Sequence, residues 1–159
     1  MAKDKTHKTN VMRLLEAAGV SYTMHSYEDT DAVAGLDVAA VLGQEPGQVF
    51  KTLVTAGKSG EHYVFIVPVS GELDLKKAAK AAGEKSVAMI KAKELLPLTG
   101  YIHGGCSPIG MKKPFATFLD ESAADYETIC VSGGRIGLQV EIAPADLAKV
   151  TGLTMCPLV

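Results

Sequence analysis

One glycine-rich run gathers most of the residue types that could do chemistry: Tyr101-Ile102-His103-Gly104-Gly105-Cys106-Ser107-Pro108-Ile109-Gly110-Met111-Lys112-Lys113. Glycine tolerates positive φ and lets a ligand approach bare backbone N–H groups. Pro108 fixes its own φ and biases Ser107 towards extended backbone, which stiffens the loop. A stiff loop with exposed amides can hold a carbonyl or phosphate oxygen. The same composition also serves a tight crossover between strands, and composition alone leaves both readings open. Cys106 stands beside amides that can lower a thiol's pKa, so a cysteine nucleophile is one reading, although no base accompanies it in the local sequence. His7, His25, His62 and His103 are scattered and read as packing or surface groups, with His103 alone beside the loop. No Ser/His/Asp set, metal-ligand spacing or Walker-type loop is present, and no metal or cofactor is expected.

Lys51 is the second residue of interest. Val49 to Ala56 alternates as a strand, with Val49, Lys51 and Leu53 on one face and Phe50, Thr52 and Val54 on the other. Apolar residues on both faces predict a central strand covered on both sides. An unpaired ammonium is costly among such neighbours. Lys51 therefore either snorkels to the sheet edge or projects into a pocket.

The elements that must position these groups follow from periodicity and punctuation. Val11, Leu14, Leu15 and Ala18 recur at helical spacing, with Gly19 as a stop. Ser21 to Tyr27 alternates as a strand, and Leu36 to Leu42 reads as a short helix stopped by Gly43. Gly57-Lys58-Ser59-Gly60 predicts a hairpin turn into Tyr63–Val69. Asp74 can cap a helix Leu75–Ala82 closed by Gly83. Ser86–Met89 reads as a short strand, and Lys91–Leu96 as a short helix ending before Pro97. The glycine run is expected to link a short strand to the strand Phe115–Leu119. Thr128–Val131 and Ile136–Ile142 form a second hairpin, and Pro144 suits the first position of a final helix ending at Thr151. Irregularly placed helices among hairpin-joined strands predict an α+β fold with a mixed sheet rather than a doubly wound parallel one.

The 159 residues suit one domain with a real core, and 47% hydrophobic with 21% charged residues is ordinary globular composition. No apolar run approaches a membrane span and the amino-terminal lysines precede no signal-peptide core, so no membrane association is expected. Cys106, Cys130 and Cys156 are odd in number and show no CxxC spacing, which suits a reducing, cytoplasmic setting. A net charge of −2 argues against holding nucleic acid by bulk electrostatics. The clusters Lys3/Lys5/Lys8/Arg13, Lys76/Lys77/Lys80 and Lys112/Lys113 read first as solvated faces, able to meet a few phosphates at most.

Four blocks in register carry a resemblance: Phe50-Lys51-Thr52-Leu53, Leu73-Asp74-Leu75-Lys76-Lys77, Gly104-Gly105-x-Ser107-Pro108-x-Gly110-x-Lys112-Lys113, and Val131-Ser132-Gly133-Gly134. From about Val11 to Lys149 the chain resembles the YbaK family of free-standing aminoacyl-tRNA deacylases, related to the editing domain inserted in bacterial prolyl-tRNA synthetases. The resemblance implies a curled, barrel-like mixed sheet surrounded by helices, and trans-editing of misacylated tRNA, foremost Cys-tRNA(Pro). It implies no metal and no protein nucleophile, because the substrate's thiol can attack its own ester. Lys51, Gly104 and Gly105 are then the catalytic positions. Tyr27 contacts the terminal adenosine, and the matched positions Thr52, Ser107, Pro108, Ser132 and Gln139 bind substrate. The partners implied are aminoacyl-tRNA and prolyl-tRNA synthetase. Two departures matter: Gln139 stands where the family commonly has aspartate, and Cys106 where many members have an apolar residue. Competing readings are a non-catalytic tRNA- or synthetase-binding module of the same fold, and a Cys106-dependent hydrolase.

Overall fold

The computed structural model describes residues 8–159; Lys3, Lys5 and His7 lie outside the described residues. Helix α1 (Asn10–Ala17) is capped by Thr9, whose hydroxyl accepts from the Met12 N–H at 3.3 Å. Its buried stripe is Val11, Met12 and Leu15, while Leu14, at the edge of that stripe, is exposed. Strand β1 (Thr23–Ser26) and helix α2 (Gly35–Leu42) precede the hairpin of β2 (Phe50–Gly57) and β3 (His62–Pro68). Helix α3 (Leu75–Ala82) starts at Asp74, whose carboxylate accepts from the Lys76 and Lys77 N–H groups. Next come β4 (Val87–Met89), α4 (Ala92–Thr99), β5 (Ala116–Asp120), a 3-10 turn (Glu121–Asp125), β6 (Ile129–Ser132), β7 (Leu138–Ile142), α5 (Pro144–Thr151) and β8 (Thr154–Cys156).

Two expectations are corrected here. Helix α4 does not end before Pro97 but carries it inside and runs to Thr99. The missing proline N–H removes one bond, while the Thr99 hydroxyl adds another by donating to the Leu95 carbonyl at 2.8 Å. The glycine run therefore follows a helix, not a strand.

The strands divide between two mixed or antiparallel sheets. In one, β1-β7-β6 pair antiparallel; in the other the order is β4-β2-β3-β5-β8. Within the larger sheet β2 is antiparallel to β3 and β4, while β3–β5 and β5–β8 are parallel. The α+β class with a mixed sheet is as expected. Closure, which a barrel requires, is found in neither sheet. They meet at one bridge, Val49 with Cys130, flanked by the Cys130 N–H donating to Gln48 and the Val69 N–H donating to Val49, at 3.0 and 2.8 Å.

Strand β3 shows why the larger sheet is covered on both sides. Val64 and Ile66 join the main core with Val11, Leu15, Leu119, Ile129, Leu138, Val140 and Leu147. Phe65 and Val67 point the other way, against Ala78 and Ala79 of α3. An apolar run without alternation is what a doubly covered strand requires. The smaller sheet is different: Leu138, Val140 and Ile142 face the core, leaving Gln139 and Glu141 on the other face with their cross-strand neighbours Ser132 and Cys130.

Candidate active site

A cavity of about 540 Å³ opens where the two sheets meet, with the bridged residues Val49 and Cys130 in its wall. It follows Val49 and the first residues of β2 to Val54, and it is also lined by the segment entering α2, Val33 to Leu36. Gly35 lets α2 lie this close, since a Cβ there would fall 2.2 Å from Val69 Cγ1. Of the sequence candidates, Tyr27, Lys51, Thr52, Gly104, Ser132 and Gln139 all line this one cavity; Gly105, Ser107 and Pro108 do not.

Lys51 is half-buried and its Nζ lies 3.6 Å from Glu72 Oε2, a carboxylate whose side chain is 91% exposed. Such a pair is weak in water, so the ammonium stays available to a ligand. Next to it, Thr52 Oγ1 is fully buried and has no hydrogen-bond partner among the described residues. A buried hydroxyl without a partner is costly. Tyr27 is 5% exposed; its N–H donates to the Gly137 carbonyl at 2.8 Å, which ties its backbone to the β6–β7 turn, and its ring packs with Ala32 and Val38.

Gln139, 3% exposed, faces Ser132 across that hairpin. Its amide is locked with Gln44 in a reciprocal pair: Gln44 Nε2 donates to Gln139 Oε1 at 2.7 Å, and Gln139 Nε2 donates back at 3.0 Å. One N–H and one oxygen lone pair of Gln139 remain free, with no net charge. The Ser132 hydroxyl accepts from the Gly134 N–H at 3.1 Å and keeps its own O–H to donate.

The glycine loop is held from within. The Ser107 hydroxyl, fully buried, accepts from the Ile109 N–H at 3.2 Å, and the Tyr101 hydroxyl donates to the Ile109 carbonyl. Gly104 has φ +87°, and a Cβ on it would meet Val33 Cγ1 at 2.8 Å. At Gly105 a Cβ would lie 2.9 to 3.1 Å from backbone atoms of Arg135 and Ile136, so the glycine loop and the β6–β7 turn touch backbone to backbone. The Gly105 N–H donates to the Ile102 carbonyl at 3.0 Å and is thereby engaged within the loop. The N–H groups of Gly104 and Cys106, both lining residues, donate to no acceptor among the described residues.

Two thiols line the cavity and neither is activated. Burial pushes Cys106 up to about 12. Burial, and then the Glu141 carboxylate, push Cys130 up to about 12 as well. Thiols so raised are protonated at neutral pH and are poor nucleophiles. Further along the same sheet face, His25 Nε2 sits 2.7 Å from Glu141 Oε1, and Thr128 donates to Glu141 Oε2 at 2.5 Å. These two hydrogen bonds hold the Glu141 carboxyl below its usual range. With Cys130 the group brings three potential metal-binding atoms within 4.8 Å of one another, a convergence that linear spacing conceals. Both Glu141 oxygens are already hydrogen-bonded there.

Gln44, Glu72 and the Val33–Gly35 segment carry no motif that marks them as site residues, and Leu36 reads in the sequence only as the start of a helix. A signal for Glu72 existed. The hairpin register that pairs Lys51 with Val67 and Phe50 with Pro68 carries the turn after β3 back alongside Lys51.

An α+β fold with a cavity at the junction of two sheets, a lysine at its edge and a glycine loop across it defines the class. The profile of the aminoacyl-tRNA editing domain matches residues 29–150, and the chain belongs to that family. It is 48% identical over 153 residues to EbsC of Enterococcus faecalis, a protein named for deacylation of Cys-tRNA(Pro) and Cys-tRNA(Cys), covering 95% of this chain and 93% of that one. A proline–tRNA ligase of Pelobacter propionicus is 32% identical over 84 residues, 53% of this chain and 15% of the ligase. A solved structure described as a trans-editing enzyme for prolyl-tRNA synthetase superposes with TM-score 0.79 at 26% identity, covering 96% and 98% of the two chains. Among the described residues no helix is long and apolar enough to cross a membrane.

Proposed function

We propose that this chain is a trans-editing aminoacyl-tRNA deacylase that acts on Cys-tRNA(Pro) with the substrate's own thiol as nucleophile. The observation that carries this reading is one cavity that gathers Lys51, the unpartnered Thr52 hydroxyl and the free Gly104 and Cys106 amides, while its two thiols are buried and raised by that burial. The cysteine sulfur attacks its own acyl carbon, forming a C–S bond. The ester C–O bond breaks, the terminal ribose oxygen leaves with the thiol proton, and water then opens the thiolactone to cysteine. Holding the thiol against the carbonyl supplies the orientation that dominates such intramolecular reactions. The free Gly104 and Cys106 amides are suited to the developing oxyanion.

In this reading Lys51 orients the ester and ribose end, Thr52 offers its unpartnered hydroxyl, and Tyr27 packs on the terminal adenosine. Ser132 and Gln139 face the aminoacyl group. Gly105, Ser107 and Pro108 act indirectly by fixing the loop that presents Gly104. The two sheets, joined at Val49 and Cys130, serve as an opened form of the curled, barrel-like wrap. The names of the related proteins favour prolyl-tRNA synthetase as partner, and three cysteines without CxxC spacing favour a reducing, cytoplasmic place of action.

Single-turnover deacylation of Cys-, Ser- and Ala-tRNA(Pro) at equal enzyme excess tests the mechanism. Cys-tRNA(Pro) is expected to disappear far faster than the other two. Equal rates for the serine and cysteine esters would replace thiol attack with positioned water. Binding without turnover of any of them would leave a non-catalytic module.

A further inference from the structure

We propose that Glu72 recognises the α-ammonium of the aminoacyl ester, so that the cavity accepts free aminoacyl-tRNA and disfavours N-blocked forms such as peptidyl- or formylaminoacyl-tRNA. The assignment rests on the deacylase reading for its substrate. Among the described residues that line the cavity, Glu72 is the one carboxylate, set against the cations of Lys51 and Lys91. Gln139 contributes no charge, and its amide is clamped by Gln44. An aminoacyl ester brings a further ammonium, two bonds from the carbonyl carbon that Lys51 would serve. Lys51 alone would repel it, and like charges in a partly desolvated site are costly.

Glu72 offsets that repulsion where it arises. Its Oε2 lies 3.6 Å from Lys51 Nζ, beyond direct hydrogen-bond range, and that ion pair is its only polar contact among the described residues. Its oxygens are therefore open to a new N–H donor. The turn bearing it is fixed by the Val69 N–H donating to Val49 and the Gly71 N–H donating to Pro68, at 2.8 and 3.0 Å. An exposed carboxylate on an anchored turn can meet an incoming amine by side-chain rotation alone. A neutral N-acyl amide has no charge for it to read.

The test compares wild type with Glu72→Gln on Cys-tRNA(Pro) and N-acetyl-Cys-tRNA(Pro), in single turnover at pH 6.5, where a free α-amine is protonated. The ratio of free to N-acetylated rates should fall about fivefold in the variant, the size expected of a solvent-edge ion pair. Glu72→Asp should restore part of it. Equal slowing of both substrates would mean that Glu72 acts only by tethering Lys51, and an unchanged ratio would mean no role; either overturns the proposal. In parallel, titration calorimetry uses adenosine carrying a 3′-cysteinylamide, a bond the enzyme does not cleave as an ester, and its N-acetyl form. Wild type should favour the free amine about fivefold and Glu72→Gln should not. That preference in a protein without deacylase activity would sink the catalytic reading and keep the Glu72 assignment. Its absence overturns the assignment even if turnover is normal.

Discussion

Lys51 and Cys106 line the same cavity, yet their surroundings assign them opposite importance. Lys51→Ala removes a half-buried ammonium whose only described partner is an exposed carboxylate. Deacylation should fall about a hundredfold, as when one preorganised group is lost from an acyl-transfer site. Thermal stability should barely change, and single-turnover assays beside a melting curve check both. Cys106→Ala should do the reverse, keeping turnover within about threefold while losing roughly 1 kcal/mol of stability from a buried site. Near-complete loss of activity in a folded Cys106→Ala protein would revive the cysteine-hydrolase reading. Glu141 supplies a pH-dependent case. Its folded pKa is lowered by Thr128 and His25, so its contribution is present above the ordinary value of 4.5 and is lost as pH falls through the depressed folded value. Glu141→Gln should lower the melting temperature by about 2 °C at pH 6, a gap that shrinks below pH 4.5. At this scale the motifs carried Tyr27, Lys51, Thr52, Gly104, Ser132 and Gln139 to one cavity. They could not reveal Gln44, because its pairing with Gln139 depends on where α2 ends relative to a hairpin 95 residues away.

Helix α2 is the element on which the cavity's width depends, and Gly35 sets its distance. Gly35→Ala should force α2 away from Val69, at a cost of about 1–3 kcal/mol by urea unfolding, with slower deacylation. Val69→Ala in the same chain should recover much of that stability by making room for the methyl group. If Gly35→Ala is as stable as wild type, α2 does not pack as described. Local chemistry made most elements legible: Asp74 does cap α3, and Pro144 does open α5. Where tertiary context decided, the sequence was silent. Strand β8 (Thr154–Cys156) is too short to show alternation and exists because β5 offers it a parallel edge. The Pro97 stop signal was overridden in a helix whose Thr99 side chain supplies a hydrogen bond that local propensity does not count.

For the molecule as a whole, a net charge of −2 limits its hold on any polyanion. The isolated chain should bind tRNA weakly, with little preference among tRNA bodies, and with a slope of log affinity against log salt of only about −2 to −3. Filter binding across a salt series measures this; tight, body-specific binding at physiological salt would remove the need for a synthetase partner. The division of the strands into two sheets was beyond sequence reading, since it rests on a single bridge between residues 81 positions apart, Val49 and Cys130. The backbone contact at Gly105 bears on fidelity. There the glycine loop that carries the lining residues Gly104 and Cys106 abuts the Arg135–Ile136 turn without an intervening side chain, so the loop cannot shift toward that turn without displacing it. A chamber built this way behaves as a sieve of fixed mesh rather than a clamp that closes on its guest. On the deacylase reading, acyl groups should be sorted at admission by bulk, and a ring too wide to enter should be spared without any second inspection.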